Sequence, residues 1–313
     1  MSVHRSTPKM HAEEVPVGAA LVRSLIAAQF PHWSHLDLEP IPSTGTDNAI
    51  YRLGGAMGVR LPRIHWAVPQ IDKEWTWLAR LEPCLPVAVP VPLAKGKPGS
   101  GYPYPWLVYP WLEGDDLQHG PVVADLSELA RAIATFVRAL RETGPDDGPA
   151  AGRRGGLLAP HSDVTRRAIE ALDGRIDVDR ALAVWGAAVA ADPWGGPPVW
   201  VHGDLLGGNI LVRNGHLSGV IDWSAAGLGD PACDAMLAWS LPPNARAAFR
   251  SALGVDDATW ARARGWTVEQ AALFIPYYAD TIPEGVAIAE RRLAVAIGDG
   301  DGDGDGDGTE TIG

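Results

Sequence analysis

Residues 199–235, VWVHGDLLGGNILVRNGHLSGVIDWSAAGLGDPACDA, restrict the fold more than any other stretch of the chain. The apolar run Ile210-Leu211-Val212 reaches Asn214-Gly215 and is followed by a second run that ends at Ile221. Two such runs joined by Asn-Gly predict a tight β-hairpin, because both residues tolerate the positive φ that a type I′ turn requires. Pairing Arg213 with His216 across the turn places Asn209 near Val220, one step from Asp222, at the open end. A short strand at residues 199–201 leads into a loop that returns Asp204 to the same mouth, and Gly203, Gly207 and Gly208 keep that loop free of bulk.

The array groups one carboxylate, Asp204, with two further oxygen-bearing side chains, Asn209 and Asp222. A carboxylate facing a hydroxyl accepts its proton. Carboxylate and amide oxygens suit magnesium, whose octahedron is completed by waters and phosphate oxygens. These are the requirements of phosphoryl transfer, where the protein positions and neutralises more than it reacts. An isolated Asp-Gly or Asn-Gly is an ordinary turn, and His202 reads as a hydrogen-bonded structural histidine. The whole array of HGDxxxxN, hairpin and IDW has few structural explanations.

The segment resembles the aminoglycoside phosphotransferase family of antibiotic and small-molecule kinases. The family pattern HGDxxxxN, [IV]DW, GDPxxD is met by His202-Gly203-Asp204 with Asn209, by Ile221-Asp222-Trp223, and by Gly229-Asp230-Pro231 with Asp234. The resemblance implies an α+β, protein-kinase-like two-lobe fold. Residues 1–110 would form a small nucleotide-binding lobe of antiparallel sheet with a helix, and residues 111–297 a larger, mainly helical catalytic and substrate lobe. By the same resemblance Asp204 is the catalytic base or hydroxyl-orienting carboxylate, Asn209 and Asp222 hold Mg2+, and Asp230 and Asp234 cap or brace the catalytic loop. ATP is the implied donor, with GTP as an alternative. The implied acceptor is a hydroxyl of a small molecule, an aminoglycoside or related antibiotic first, then a macrolide or another hydroxylated metabolite. A catalytically weak nucleotide-binding pseudokinase and a metal hydrolase are the competing classes.

In the N-terminal half, residues 36–41, 49–53 and 57–61 read as strands. Residues 43–48 read as a phosphate-facing turn in which Gly45, Thr46 and Asn48 are the candidate nucleotide contacts. Arg60 stands where the family carries lysine, and its permanently charged fork suits phosphate without being equivalent to lysine. Ile71, Trp75, Leu78 and Leu81 predict a helix over residues 70–81, and the family resemblance implies Glu74 on it as the partner of Arg60. Residues 102–113, YPYPWLVYPWLE, read as a strand entering the hinge; Pro110 has no amide hydrogen, so a donor to adenine is expected from a neighbour such as Leu112.

A chain of 313 residues, 46% hydrophobic, is long enough for two cores. Its net charge is −12, of which Asp299, Asp301, Asp303, Asp305, Asp307 and Glu310 carry half. The remaining acidity disfavours nucleic acid and mildly favours a cationic acceptor. The Asp-Gly alternation at residues 298–313 has no apolar group to bury and is expected to be disordered. No run of about eighteen apolar residues exists, so no membrane span is expected, and the start of the chain lacks a signal-peptide core, which makes the cytoplasm the default. Cys84 and Cys233 are too few for a disulfide framework or zinc ribbon. Helices are predicted over 122–140, 164–172, 178–190, 231–241, 268–278 and 286–297, with Asp280 and Glu284 as candidate contacts to a cationic acceptor.

Overall fold

The computed structural model describes residues 13–41, 47–120, 122–143 and 147–298. Contacts divide the chain into two compact units, Met1–Glu82 with Val89–Leu112, and Pro83–Ala88 with Glu113–Gly313.

The first unit contains α1 (Ala19–Gln29), β1 (Leu38–Pro40), β2 (Asn48–Leu53), β3 (Met57–Pro62), α2 (Val68–Leu81), β4 (Ala94–Gly96) and β5 (Trp106–Pro110). Its strands pair antiparallel in the order β1-β2-β3-β5-β4. Side chains alternate across a strand, and β3 uses both directions. Val59 and Leu61 join Val22, Leu25 and Ile26 of α1 in the core, while the intervening Arg60 meets Glu74 of α2. The predicted stripe of α2 needs one correction. Ile71, Glu74, Leu78 and Leu81 are its buried positions, whereas Trp75 is 42% exposed. An acidic residue thus occupies the turn where an apolar one was expected, because a cation waits beneath it.

The second unit runs β6 (Asp115–Asp116), α3 (Leu126–Glu142), α4 (Ser162–Glu170), α5 (Val178–Ala190), β7 (Val199–Val201), β8 (Ile210–Arg213), β9 (His216–Val220), β10 (Gly227–Gly229), a 3₁₀ run (Pro231–Ser240), α6 (Pro243–Leu253), α7 (Asp257–Tyr278) and α8 (Pro283–Gly298). Helix starts follow capping chemistry: Asp125, Asp177 and Asp256 accept from the amides of Glu128, Arg180 and Thr259 at 2.8, 2.9 and 2.7 Å. The Asp125 cap places the start of α3 later than residue 122. The stretch predicted as an α-helix over 231–241 is wound as 3₁₀ turns, buried from Pro231 to Trp239. α1, α6 and the first half of α7 were not anticipated. Gly298 closes α8, with its carbonyl accepting from Arg180 Nη2 at 3.1 Å, so the Asp-Gly tail starts one residue later, outside the described residues.

β7 and β10 pair antiparallel, Val201 opposite Gly227 and Val199 opposite Gly229. The segment around residues 149–155 lies directly on β10: Ala151 N donates to Leu228 O at 2.9 Å and Asp230 N to Gly155 O at 2.7 Å. A Cβ at Gly229 would stand 2.5 Å from Gly155 O, so only glycine permits this approach. Gly229→Ala is therefore expected to lower stability by about 1–3 kcal/mol through forced backbone displacement. Urea denaturation reads this, and an unchanged midpoint and slope would contradict the packing described.

Candidate active site

The catalytic-loop candidate begins where β7 ends. His202 is fully buried, with Nε2 3.0 Å from the Ile221 carbonyl and Nδ1 facing the Asp204 amide at 3.3 Å. Donation from Nε2 to that carbonyl and acceptance at Nδ1 from that amide make it a structural ring. Asp234 in the 3₁₀ run accepts from the amides of His202 and Gly203, both at 2.8 Å. Burial pushes the Asp234 carboxyl above its ordinary range, opposed by His202 and these two amides. Gly203 takes φ +78, and a Cβ there would meet Ala225 O at 2.8 Å. Asp230 caps the 3₁₀ run at Ala232 N (2.9 Å) and forms a buried two-point pair with Arg262, Nε to Oδ2 at 2.7 Å and Nη2 to Oδ1 at 3.1 Å.

The predicted hairpin is present, with Arg213 opposite His216. A register shift at Leu211/Val212 adds one residue to β9, so Ile210 faces Val220 and Asn209 O accepts from Ile221 N at 2.9 Å. Asn209 is consequently one residue nearer Asp222 than a regular ladder allows, correcting the predicted match with Val220. Its Nδ2 donates to the Asp204 carbonyl at 2.8 Å, which turns Oδ1 away as a free acceptor. Asp222 adopts φ 58 and ψ 72, a left-handed conformation that costs a non-glycine residue energy and is retained at sites where side-chain direction matters. Its Oδ1 faces Ser224 N at 3.4 Å. The donor set of an amide oxygen and a carboxylate fits magnesium and does not fit a zinc cage. No group of three His, Cys, Asp or Glu suited to a metal occurs among the described residues.

Two arginines that the sequence analysis did not single out belong to this site. Arg154 Nη1 bonds Asp204 Oδ1, and that carboxylate holds the guanidinium more firmly protonated than usual. Arg153 donates to Glu269 Oε1 of α7 from Nε at 3.1 Å and Nη2 at 2.6 Å. His161 Nδ1 stands 3.0 Å from the same oxygen, off the hydrogen-bond direction. Arg153, Arg154, Gly203, Glu269 and Gln270 line a cavity of about 340 Å3 together with the apolar side chains of Met236, Trp266, Leu273 and Phe274. Asp280 and Glu284 are exposed and do not line it. The buried acid near the cavity is Glu269, hidden in sequence because it lies inside an apolar helical stretch. The paired Arg153-Arg154 between glycines shows two adjacent charges in the sequence but not their partners.

In the first unit Arg60 Nη1 lies 2.5 and 2.7 Å from the two oxygens of Glu74, and Nη2 lies 3.1 Å from Gln70 Oε1. Both members of the pair are buried. Asn48 opens β2 with Oδ1 buried and without a hydrogen-bond partner among the described residues. Gly45 and Thr46 lie outside the described residues. Trp111 commits its amide to Ala56 O at 2.8 Å, and Leu112 follows as the last residue of this unit.

A family model described as APH, phosphotransferase enzyme family, matches residues 37–266, and the chain belongs to that family. The uncharacterized protein YcbJ of Bacillus subtilis (strain 168) is 29% identical over 199 residues, 57% of this chain and 61% of YcbJ, so the match spans about three fifths of that relative. Among solved structures, the GDP and kanamycin complex of APH(2")-IIIa aligns with TM-score 0.70 at 20% identity, covering 87% of this chain and 98% of the other. The macrolide 2'-phosphotransferase MphH from Brachybacterium faecium aligns with TM-score 0.58 at 23% identity, covering 91% and 100%. The fold is that of these phosphotransferases, with an antiparallel-sheet unit and a mainly helical one. No helix among the described residues is long and apolar enough to cross a membrane.

Asp234→Asn would point an amide donor at one of two backbone donors. A loss of about 1–3 kcal/mol is expected. Because burial raises the folded-state pKa above the usual 3.8, the Asp234 contribution is fullest below the unfolded pKa and is lost as pH rises through the folded one. Wild type should therefore gain on the asparagine variant as pH falls through that window. Paired denaturation curves across acidic pH check this, and a pH-independent difference would contradict it.

Proposed function

We propose that this phosphotransferase moves the γ-phosphoryl group of ATP, with GTP as an alternative donor, to a hydroxyl of a small molecule with the aid of Mg2+. The observation that carries the reading is the convergence of Asp204, Asn209 and Asp222 at the open end of the bulged hairpin, beside the cavity wall formed by Gly203 and Arg154. In the proposed reaction the acceptor oxygen bonds to the γ-phosphorus and its proton passes to Asp204. The bond from the γ-phosphorus to the bridging oxygen breaks, and the nucleoside diphosphate leaves with that electron pair. Arg154 occupies Oδ1 of Asp204, and Oδ2, which Asn209 Nδ2 faces at 3.5 Å, is assigned as the proton-accepting oxygen. Asn209 and Asp222 would hold the metal, which when bound offsets charge on the phosphate oxygens.

Arg60 serves the nucleotide phosphates in this reading, fixed by Glu74 and Gln70, and Asn48 adds an amide group at the start of β2. We assign Gly45 and Thr46 to the nucleotide phosphates and Leu112 to adenine. The GDP named with one fold neighbour supports nucleotide binding. The aminoglycoside and macrolide named for two neighbours support a hydroxylated acceptor of antibiotic size without choosing between them. Against a pseudokinase, Arg60 makes the carboxylate pair expected of the lysine it replaces, and Asp204, Asn209 and Asp222 are all present.

Asp204→Ala is expected to lower kcat by about 10²–10⁴-fold, the range for loss of a general base, with nucleotide binding retained. Asp222→Ala is expected to weaken magnesium-nucleotide binding as well. Steady-state turnover on a hydroxyl acceptor that the wild type phosphorylates, with calorimetric nucleotide titrations, separates the two. Wild-type turnover in Asp204→Ala would overturn the assignment.

A further inference from the structure

Arg292 of α8 is 5% exposed, and among the described residues no carboxylate pairs with it. Its Nη2 bonds Gln270 Oε1 on α7, and its Nε is buried with no partner among the described residues. Burial pushes its pKa down to about 10, with Asp204 opposing the shift and Arg154 adding to it, so the group remains charged at neutral pH. A buried cation without a matched anion is costly, and such a cost persists where something else supplies the anion.

Gln270, which holds Arg292, lines the same cavity as Arg153 and Arg154. Arg153, Arg154 and Glu269 line the space, Arg292 stands behind the lining Gln270, and Asp204 follows the lining Gly203, so three guanidinium groups stand at or behind the wall with two carboxylates. Asp222 also acts on Arg154, but in the proposed reaction its charge belongs to magnesium. Arg154 uses one nitrogen on Asp204 and Arg153 uses two on Glu269, so both forks keep N–H donors beyond their carboxylate partners. Trp266, Leu273 and Phe274, on the same helix as Glu269 and Gln270, add apolar surface to the lining. A polycation would set ammonium groups against guanidinium groups here, the reverse of what the chain's overall acidity suggests.

We propose that the cavity beside Asp204 takes an acceptor bearing an anionic oxyacid group, carboxylate or phosphate, together with its reactive hydroxyl, with Arg292 acting through Gln270 and Arg154 directly as the anion-recognising charges. The proposal rests on the phosphotransferase reading in treating this cavity as the acceptor site. The anion preference itself does not depend on turnover.

The test is calorimetric titration of the full chain at low ionic strength, without nucleotide, with gluconate, glycerol 3-phosphate, the neutral polyol ribitol and kanamycin. Gluconate or glycerol 3-phosphate, whichever oxyacid the site prefers, is expected to bind at least about tenfold tighter than ribitol or kanamycin. Arg292→Met is expected to weaken that anion about tenfold and Arg292→Lys to retain most of the affinity, because charge is the property at stake. The lysine variant and the neutral-polyol comparison stand even where the methionine variant fails to fold. Tighter binding of kanamycin than of both anions, or equal affinity for the neutral and anionic probes, would overturn the proposal. ADP titration and ATP-dependent phosphate incorporation are measured separately. Their failure with anion binding intact would remove the phosphotransferase reading and leave the anion site standing.

Discussion

The Asp234 carboxylate accepts the amides of two consecutive residues, His202 and Gly203, from a fully buried position in the 3₁₀ run. A strand that ends inside a protein leaves backbone donors that need partners, and this one side chain supplies both. The turn it stabilises has a left-handed Gly203 packed against Ala225, which delivers Asp204 to the cavity edge. Asp230 ties the start of the same 3₁₀ run to Arg262 on α7. α7 in turn carries Glu269, which receives Arg153, and the neighbouring Arg154 returns to Asp204. Polar contacts thus connect the 3₁₀ run, α7, the arginine segment and the candidate catalytic loop.

Buried ion pairs of this kind are weak contributors to net stability, because desolvation offsets much of the attraction. Their value lies in the cost of breaking them: removing one partner strands a charge, so alternative arrangements are disfavoured. Arg60 and Glu74 illustrate the same physics in the first unit. The pair fixes α2 on the sheet at one register, since Glu74 interrupts an otherwise apolar stripe only where Arg60 lies beneath it. A longer, planar guanidinium in place of lysine is accommodated by a third contact, Gln70 one turn before Glu74.

The strands flanking Arg60, the helix bearing Glu74 and the Asn-Gly hairpin were legible because period and turn chemistry act over a few residues. The motif also placed Asp204, Asn209 and Asp222 close together. A register shift that brought Asn209 opposite Ile221 was not legible, since a bulge depends on what the two strands pack against. Trp75 was read as core from its spacing, while Glu74 beside it was the buried residue, because the period locates a stripe only to within one position. Arg154 and Glu269 escaped for another reason. Their partners are 50 and 116 positions away in the chain, and nothing local to GRRGG or to the apolar surroundings of Glu269 reveals an ion pair. The extent of α7 and its 3₁₀ neighbour was likewise set by burial from several sides, which removes the periodicity that identifies an amphipathic helix.

In the proposed reaction the three side chains at the hairpin mouth divide the labour: Asp204 would face the acceptor, and Asn209 and Asp222 would hold the metal. A crystal structure of the chain with magnesium and a non-hydrolysable ATP analogue tests it most directly. The account predicts a metal bonded to Asn209 Oδ1 and an Asp222 oxygen at about 2.0–2.1 Å, with the Asp204 carboxylate outside its coordination sphere and directed to the cavity. A metal ligated by Asp204, or one bound away from Asn209 and Asp222, would contradict it.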